Sequence, residues 1–216
     1  MKNTILLILL FLFTTFCGGK TREEIEKRYN NGSKKIVAIY NGEEVDGIIV
    51  KRISYFQNGK VRNEENYKDE KPDGKWTTYN ESGKITYEEY YKDGKAYSYL
   101  VYSGYGQKIN EANFVDGKIQ EEFIYYNSGE LRRSIQYHHT NKFNISSHKK
   151  YYKDGSLLES IEYKNGILNG PWRWYYQSGN LWKEEYYKNG AWHGDWNYYY
   201  DNVGSNSVFR FLDKIR

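Results

Sequence analysis

Paired glutamates are the residues of this chain whose type and spacing come nearest to chemistry: Glu64–Glu65, Glu88–Glu89, Glu121–Glu122 and Glu184–Glu185. Two neighbouring carboxylates could serve as general acid and general base. Geometry and number both argue against it. Adjacent strand residues point to opposite faces, so each pair is split across a sheet. Three of the pairs also stand five and six residues after a glycine of a repeating series. A catalytic pair is needed once, whereas a lattice position is filled each time, and cross-strand pairing with lysine fits that better. His138, His139 and His148 are the candidates for metal ligation. Histidines adjacent in a strand diverge, and no Cys or carboxylate stands at a zinc spacing, so they read as an exposed polar loop. His193 reads as exposed too. No phosphate loop, nucleophile elbow or dinucleotide fingerprint is present. The expectation is no enzyme, no cofactor and no metal.

What must position any site is set by composition and by a repeat. The 216 residues include 25 Tyr and 6 Trp within a hydrophobic fraction of 38%. Tyr buries its ring and keeps its hydroxyl wet, which suits half-exposed sheets better than a thick aliphatic core. A net charge of +4 with interspersed signs gives no basis for nucleic-acid binding.

The first residues differ from the rest. Lys2 precedes an apolar run from Ile5 to Phe13, of signal-peptide length and short for a transmembrane helix. The run ends on Cys17, the sole cysteine, so no internal disulfide can form. Its place suggests a lipoprotein signal with Cys17 as the lipid attachment site. Phe16 stands where that pattern has a small residue, so cleavage after Gly19 and an uncleaved anchor stay open. The expected layout is a signal over 1–17, a tether over 18–28, an array over 29–204 and a C-terminal cap over 205–216. Export to the cell envelope follows.

Gly32, Gly59, Gly83, Gly106, Gly129, Gly155, Gly179 and Gly204 recur every 23 to 27 residues. Four before them, from Gly59 on, stand Tyr55, Tyr79, Tyr102, Tyr125, Tyr151, Tyr175 and Tyr200; two after many of them come aliphatics such as Ile85 and Leu181. Eight after come Tyr40, Tyr67, Tyr91, Phe114, Tyr137, Tyr163 and Tyr187. Second glycines follow at eleven, and third ones (Gly74, Gly170, Gly194) at fifteen, each with Trp two residues on. "QNG", "NSG", "KDG" and "QSG" fit three-residue hairpin loops whose last residue is left-handed. Gly59, Gly83, Gly129, Gly155, Gly179 and Gly194 are therefore read as structural turns. The loops pair Tyr79 with Ile85 and Tyr175 with Leu181 across strands, and alternation puts Ile85 with Tyr91, and Leu181 with Tyr187, on one face. The fold class is all-β: an elongated antiparallel meander of about seven hairpin units, each contacting mainly its neighbours. Val208, Phe211, Leu212 and Ile215 have helical spacing, which predicts a short C-terminal capping helix; a strand through Phe209 and Phe211 is the alternative. A divergent unit over 137–150, with Thr140 in place of glycine, marks a place for a break or bend.

The stretches "DGKWTTYNESGKITYEEYYKDGK" and "NGPWRWYYQSGNLWKEEYYKNGAWHGDW" resemble the MORN-repeat variant of bacterial proteins, some of which are labelled antitoxins. The resemblance is weakest over 104–120 and 137–148. It implies a hairpin array, a contact role toward proteins or membranes, and no catalytic residue. Short aromatic repeats also occur in cell-wall and choline-binding modules, but those are nearer twenty residues and lack the paired glutamates. The tryptophans of the last two repeats divide between thin core and contact patch. Trp182 and Trp192 depart most from the repeat and are, with Trp174, the candidate partner contacts. The expectation is an envelope-anchored scaffold with a protein partner and a lipid-held membrane, and no nucleic acid. The rival readings are an envelope glycan-binding module and an antitoxin-like protein that neutralises a toxin.

Overall fold

The computed structural model describes residues 20–42, 47–139, 143–201 and 208–211. These form strands and turns without a helix. The strands are β1 (Thr21–Arg28), β2 (Lys34–Asn41), β3 (Ile48–Tyr55), β4 (Val61–Lys68), β5 (Lys71–Pro72), β6 (Gly74–Tyr79), β7 (Ile85–Lys92), β8 (Lys95–Tyr102) and β9 (Lys108–Val115). They continue as β10 (Lys118–Tyr125), β11 (Leu131–His139), β12 (Phe143–Tyr151), β13 (Leu157–Lys164), β14 (Ile167–Tyr175), β15 (Leu181–Lys188), β16 (Ala191–Trp192), β17 (Trp196–Tyr199) and β18 (Val208–Phe211). Pairing is antiparallel and sequential throughout. The short β5 and β16 share the place of one strand with β6 and β17, on β4 and β15 respectively. All extensive contacts are between sheet neighbours.

Two kinds of turn alternate. In the first, Tyr79 ends β6, Asn80 N donates to Lys84 O and Gly83 N donates to Asn80 O, enclosing Glu81, Ser82 and Gly83. Gly83 has φ of 89° and open space where a Cβ would sit, so the left-handed backbone, not crowding, requires glycine. The same bond pair closes the turns at Gly32, Gly59, Gly106, Gly129, Gly155 and Gly179; Gly204 lies outside the described residues. The second kind has two residues at positive φ, as in Asp93 (48°) and Gly94 (83°), the mirror-image turn that matches strand twist. It recurs at Asp116–Gly117, Asn165–Gly166 and Asn189–Gly190. In the β4–β5 hairpin the second position is Glu70, with φ of 61°.

The core is a line along the middle of the sheet. Val37, Ala38, Ala112, Ile135 and Ile161 are its buried apolar members. They stand five or six residues after their turn glycines, the same offsets that hold the glutamate pairs. Accordingly Glu88, Glu184 and Glu185 are also buried, and Glu159 and Thr77 with them.

The Cα register pairs Tyr79 with Ile85 and Tyr175 with Leu181, as the loop length requires. A bulge follows directly in each hairpin, between Thr78 and Tyr79 and between Trp174 and Tyr175. Simple alternation from Ile85 to Tyr91, or from Leu181 to Tyr187, does not allow for it.

Several expectations need correction. Most of the segment expected as a tether, 18–28, is β1, with Ile25 opposite Val37; its charges misled because an edge strand carries them to deter further pairing. The expected C-terminal helix is replaced by β18, which pairs with β17 from Trp196 opposite Phe211 to Tyr199 opposite Val208. The open edge of β17 takes a strand in preference to a helical stripe. Leu212 and Ile215 lie outside the described residues, as do Cys17 and the leader. Gly194 is no hairpin turn: with φ of 107° it interrupts the strand between β16 and β17. Gly74 marks the same interruption between β5 and β6. Gly170 stays inside β14, where an added Cβ would meet Glu162 at 3.0–3.1 Å. The divergent unit is not a break, since β11 and β12 pair from Arg133 opposite Lys150 to His139 opposite Phe143.

Glu70 occupies a left-handed position that its counterparts give to glycine, at a backbone cost of about 1 kcal/mol. Glu70→Gly is expected to raise the unfolding free energy by about that amount in a urea titration. A neutral or destabilising result would show that the Glu70 side chain compensates for its backbone.

Candidate functional site

The lattice explains most of the chain's polar chemistry before any site is sought. On one face, the glutamate five after a turn glycine reaches a tyrosine four before the next one. Tyr102 Oη donates to Glu88 at 2.7 Å, and Tyr125 Oη to Glu111 at 2.9 Å. In the unit after, Ser134 replaces the acid and meets the Tyr151 hydroxyl at 3.3 Å. Lysine or arginine of the same unit completes the set: Lys51–Glu64 at 2.8 Å, Lys75–Glu88 at 2.7 Å and Arg173–Glu184 at 2.5 Å. Burial pushes the Glu88 and Glu111 carboxyls up, but hydrogen bonds from Lys75 and Lys108, then Tyr102 and Tyr125, outweigh it and leave both below their ordinary range. The glutamate pairs are thus split between faces and bonded to lattice partners. None forms an acid–base couple.

A tyrosine three before a turn glycine has a different task. Tyr29, Tyr126, Tyr152 and Tyr176 donate to the backbone carbonyls of Tyr55, Tyr151, Tyr175 and Tyr199, one unit ahead, at 2.7–3.1 Å. Where the position is Asn80 or Ser103, the side chain caps its own turn instead.

The opposite face is a row of rings. The residue seven before each turn glycine lies against the aromatic eight after it: Arg52 over Tyr67, Trp76 on Tyr91, Tyr99 on Phe114, His148 on Tyr163 and Trp172 on Tyr187. Trp76 is held on both sides, with ring centres 5.5 Å from Tyr67 and 4.7 Å from Tyr91, and its Nε1 donates to Asn66 O. Tyr67, Tyr91 and Tyr187 donate to the glutamates two residues earlier, Glu65, Glu89 and Glu185, at 2.7–2.9 Å.

This row ends in a cluster. Trp172 and Trp174 stack with centres 4.7 Å apart, and Trp172 Nε1 donates to Glu159. Lys183 Nζ lies 4.6 Å from the Trp174 ring, 5.1 Å from Trp196 and 5.4 Å from Tyr198, while its charge pairs with Glu185. Burial pulls this ammonium down, and the Glu185 hydrogen bond more than offsets it, so the cage holds a charged lysine. Trp192 meets Trp196 edge-on at 5.8 Å. Trp196 occupies the lattice place of Trp76 and Trp172, seventeen after a turn glycine, yet it is 39% exposed, and Trp192 is 48% exposed.

Of the predicted contacts, Trp174 and Trp192 therefore belong to one cluster, joined through Lys183 and Trp196. Trp182 stands apart, 42% exposed and tilted against Tyr176 beside its turn. Lys183 was missed. Trp196 was grouped with the other tryptophans of the last two repeats but not singled out, because it fits the repeat. The histidines are not a loop: His138 and His139 are in β11 and His148 is in β12. His148 is half-buried, stacked 6.4 Å from Tyr163, and burial pulls its imidazole below the ordinary value. His193 is exposed. Among the described residues no group of three or more His, Cys, Asp or Glu could hold a metal ion.

A family model described as the MORN repeat variant matches residues 50–69, 72–93, 147–165 and 168–189. The intervening units keep the turns at Gly106, Asp116–Gly117 and Gly129 and the sequential antiparallel pairing without matching. No curated protein matches the chain. Among solved structures, a GtfA/B complex bound to UDP and GlcNAc is similar at 16% identity and TM-score 0.24, over 57% of this chain and 25% of that one. TcdB2-TccC3-TEV is similar at 14% identity and TM-score 0.24, over 84% and 12% respectively. The Photorhabdus luminescens Tc holotoxin pore is similar at 11% identity and TM-score 0.20, over 89% and 12%. The chain thus spans a quarter or less of these proteins, and likeness at such scores carries no argument.

Burial first, and then hydrogen bonding to Glu65 or Glu185, pushes the Tyr67 and Tyr187 hydroxyls up to about 12 from 10.0. Raised values mean that the folded state keeps protons the unfolded chain releases. Stability is therefore complete below pH 10 and is lost as pH rises through about 12. A denaturant midpoint that falls over this window, less steeply in a Tyr67→Phe/Tyr187→Phe variant, is expected. Equal slopes for variant and parent would contradict the hydroxyl–carboxylate pairing.

Proposed function

We propose that this chain is a non-enzymatic repeat scaffold of the cell envelope, tethered to a membrane by a lipid on Cys17. It binds a partner protein through the aromatic cluster at the C-terminal end of its ring face. The observation that carries this reading is the contrast between Trp76 and Trp196. The two share a lattice position, but the first is covered by Tyr67 and Tyr91, whereas the second is 39% exposed beside the exposed Trp192. Exposed indoles in a cluster are the residues that supply most binding energy at protein interfaces. Repeats matching the MORN variant support a contact role, and the apolar run ending on Cys17 supports export.

A second reading, an envelope glycan module, draws on the same rings, because exposed indoles also stack on sugars. A photo-crosslinker placed at Trp192, with one at Gln57 as control, distinguishes the two when the native protein is irradiated in its own envelope. One defined protein captured from position 192 and not from 57 is the expected result; a captured toxin would point to the neutralising role. Retention on envelope polysaccharide, abolished by Trp192→Ala with Trp196→Ala, would replace the protein-scaffold reading by the glycan one. For the anchor, Cys17→Ser is expected to release the protein from the membrane fraction. An unchanged fractionation, with no acyl mass on the parent protein, would remove the lipid from this account.

A further inference from the structure

A cavity of about 290 Å³ lies where the β10–β11 and β12–β13 hairpins meet, beside the start of the tryptophan cluster, to which Glu159 links it by pairing with Lys150 and accepting from Trp172. It is lined by Tyr126, Arg132, Arg133, Lys150, Tyr151 and Leu158. The lattice fixes its walls. Tyr126 Oη donates to Tyr151 O at 3.1 Å, which ties the two hairpins together across the cavity's edge. Arg132 lies over the Tyr126 ring at 5.8 Å, with Lys153 on the same ring at the same distance.

The charge here is unbalanced. In four other units the residue five after the turn glycine is a glutamate paired with a lysine or arginine: Glu64, Glu88, Glu111 and Glu184. At this place in the β10–β11 unit the residue is Ser134. Lys150 pairs with Glu159. Among the described residues neither Arg132 nor Arg133 has an acidic partner within salt-bridge distance. Three cations against one acid leave a net charge of about +2 at a concave site whose other walls are two tyrosines and a leucine.

We infer that this cavity binds a phosphate monoester. Such a group carries a charge of about −1.5 to −2 at neutral pH, which matches the excess, whereas a carboxylate supplies half of it. Guanidinium groups bind its oxygens through paired N–H donors. The volume exceeds that of the phosphate alone, so the tyrosine rings and Leu158 are left to meet the carbon skeleton that bears it.

The test is calorimetric titration of the full chain with glucose 6-phosphate, with glucose and acetate as controls. A parallel arm uses phosphatidylcholine vesicles with and without phosphatidic acid, whose headgroup is also a phosphate monoester. Saturable binding of at least one phosphate probe, and of neither control, is expected. Arg132→Gln/Arg133→Gln is expected to weaken it at least about tenfold. Leu158→Trp, which fills the cavity and leaves its charge, is expected to weaken it as much, and Lys84→Gln to leave it unchanged. The arm that binds identifies a soluble or a lipid source. Binding no tighter than that of acetate, binding retained in both cavity variants, or an equal loss in Lys84→Gln would overturn the assignment.

Discussion

Among the described residues the extensive contacts of the sheet are all with its own neighbours and no second layer covers its midline, and this constraint shapes the rest of the molecule. Both faces must be shielded by side chains rising from the same strands. Tyrosine does this well, because its ring covers the strand beside it and its hydroxyl reaches an acceptor at the edge of that cover. The acceptor is glutamate, at the offset where other units place alanine or isoleucine. Buried Glu88 with Lys75, Tyr90 and Tyr102 around it fills the space that Val37 fills in another unit. Removing a partner from such a set would leave a desolvated carboxylate, which is why the glutamates, tyrosines and basic residues occur together.

The same residues couple the units. In Tyr125–Tyr126 the first tyrosine bonds a carboxylate of the preceding unit, Glu111, and the second bonds a backbone carbonyl of the following one, Tyr151 O. The turns are linked too, by Gln177 to Asp154 at 2.5 Å and by Asn180 to Asp201 at 3.0 Å. Stability in such an array is a sum of local terms and nearest-neighbour terms. Interior units receive both neighbours. Trp196 is 39% exposed where Trp76, held between Tyr67 and Tyr91, is half-buried.

The legible part of this fold was the part that glycine writes. A turn that needs a left-handed residue leaves that residue in the sequence, so Gly59, Gly83 and Gly179 gave hairpin positions, and loop length then gave the Tyr79–Ile85 register. The glutamate offsets were legible for a similar reason, as positions filled repeatedly. Bulges were not, because they arise where the turn meets the strand twist and no residue type marks them. The charged β1 resembled a tether, and the C-terminal stretch offered both a helical spacing and, through Phe209 and Phe211, the strand that it forms as β18. In the candidate site, Trp192 was found by its departure from the repeat, while Trp196, which obeys it, was grouped with the other tryptophans and not singled out. Lys183 was missed because a lysine held by rings from neighbouring strands is not apparent until the strands are paired.

The central claim is that one lattice position serves the fold where neighbours cover it and serves contact where they do not. Trp76→Ala and Trp196→Ala, compared side by side for urea stability and for retention of the envelope partner, test this most directly. The account predicts that Trp76→Ala loses about 2 kcal/mol or more and keeps the partner. Trp196→Ala is predicted to lose less than about 1 kcal/mol, as exposed positions do, and to release the partner. Equal stability losses with the partner retained by both variants would contradict it.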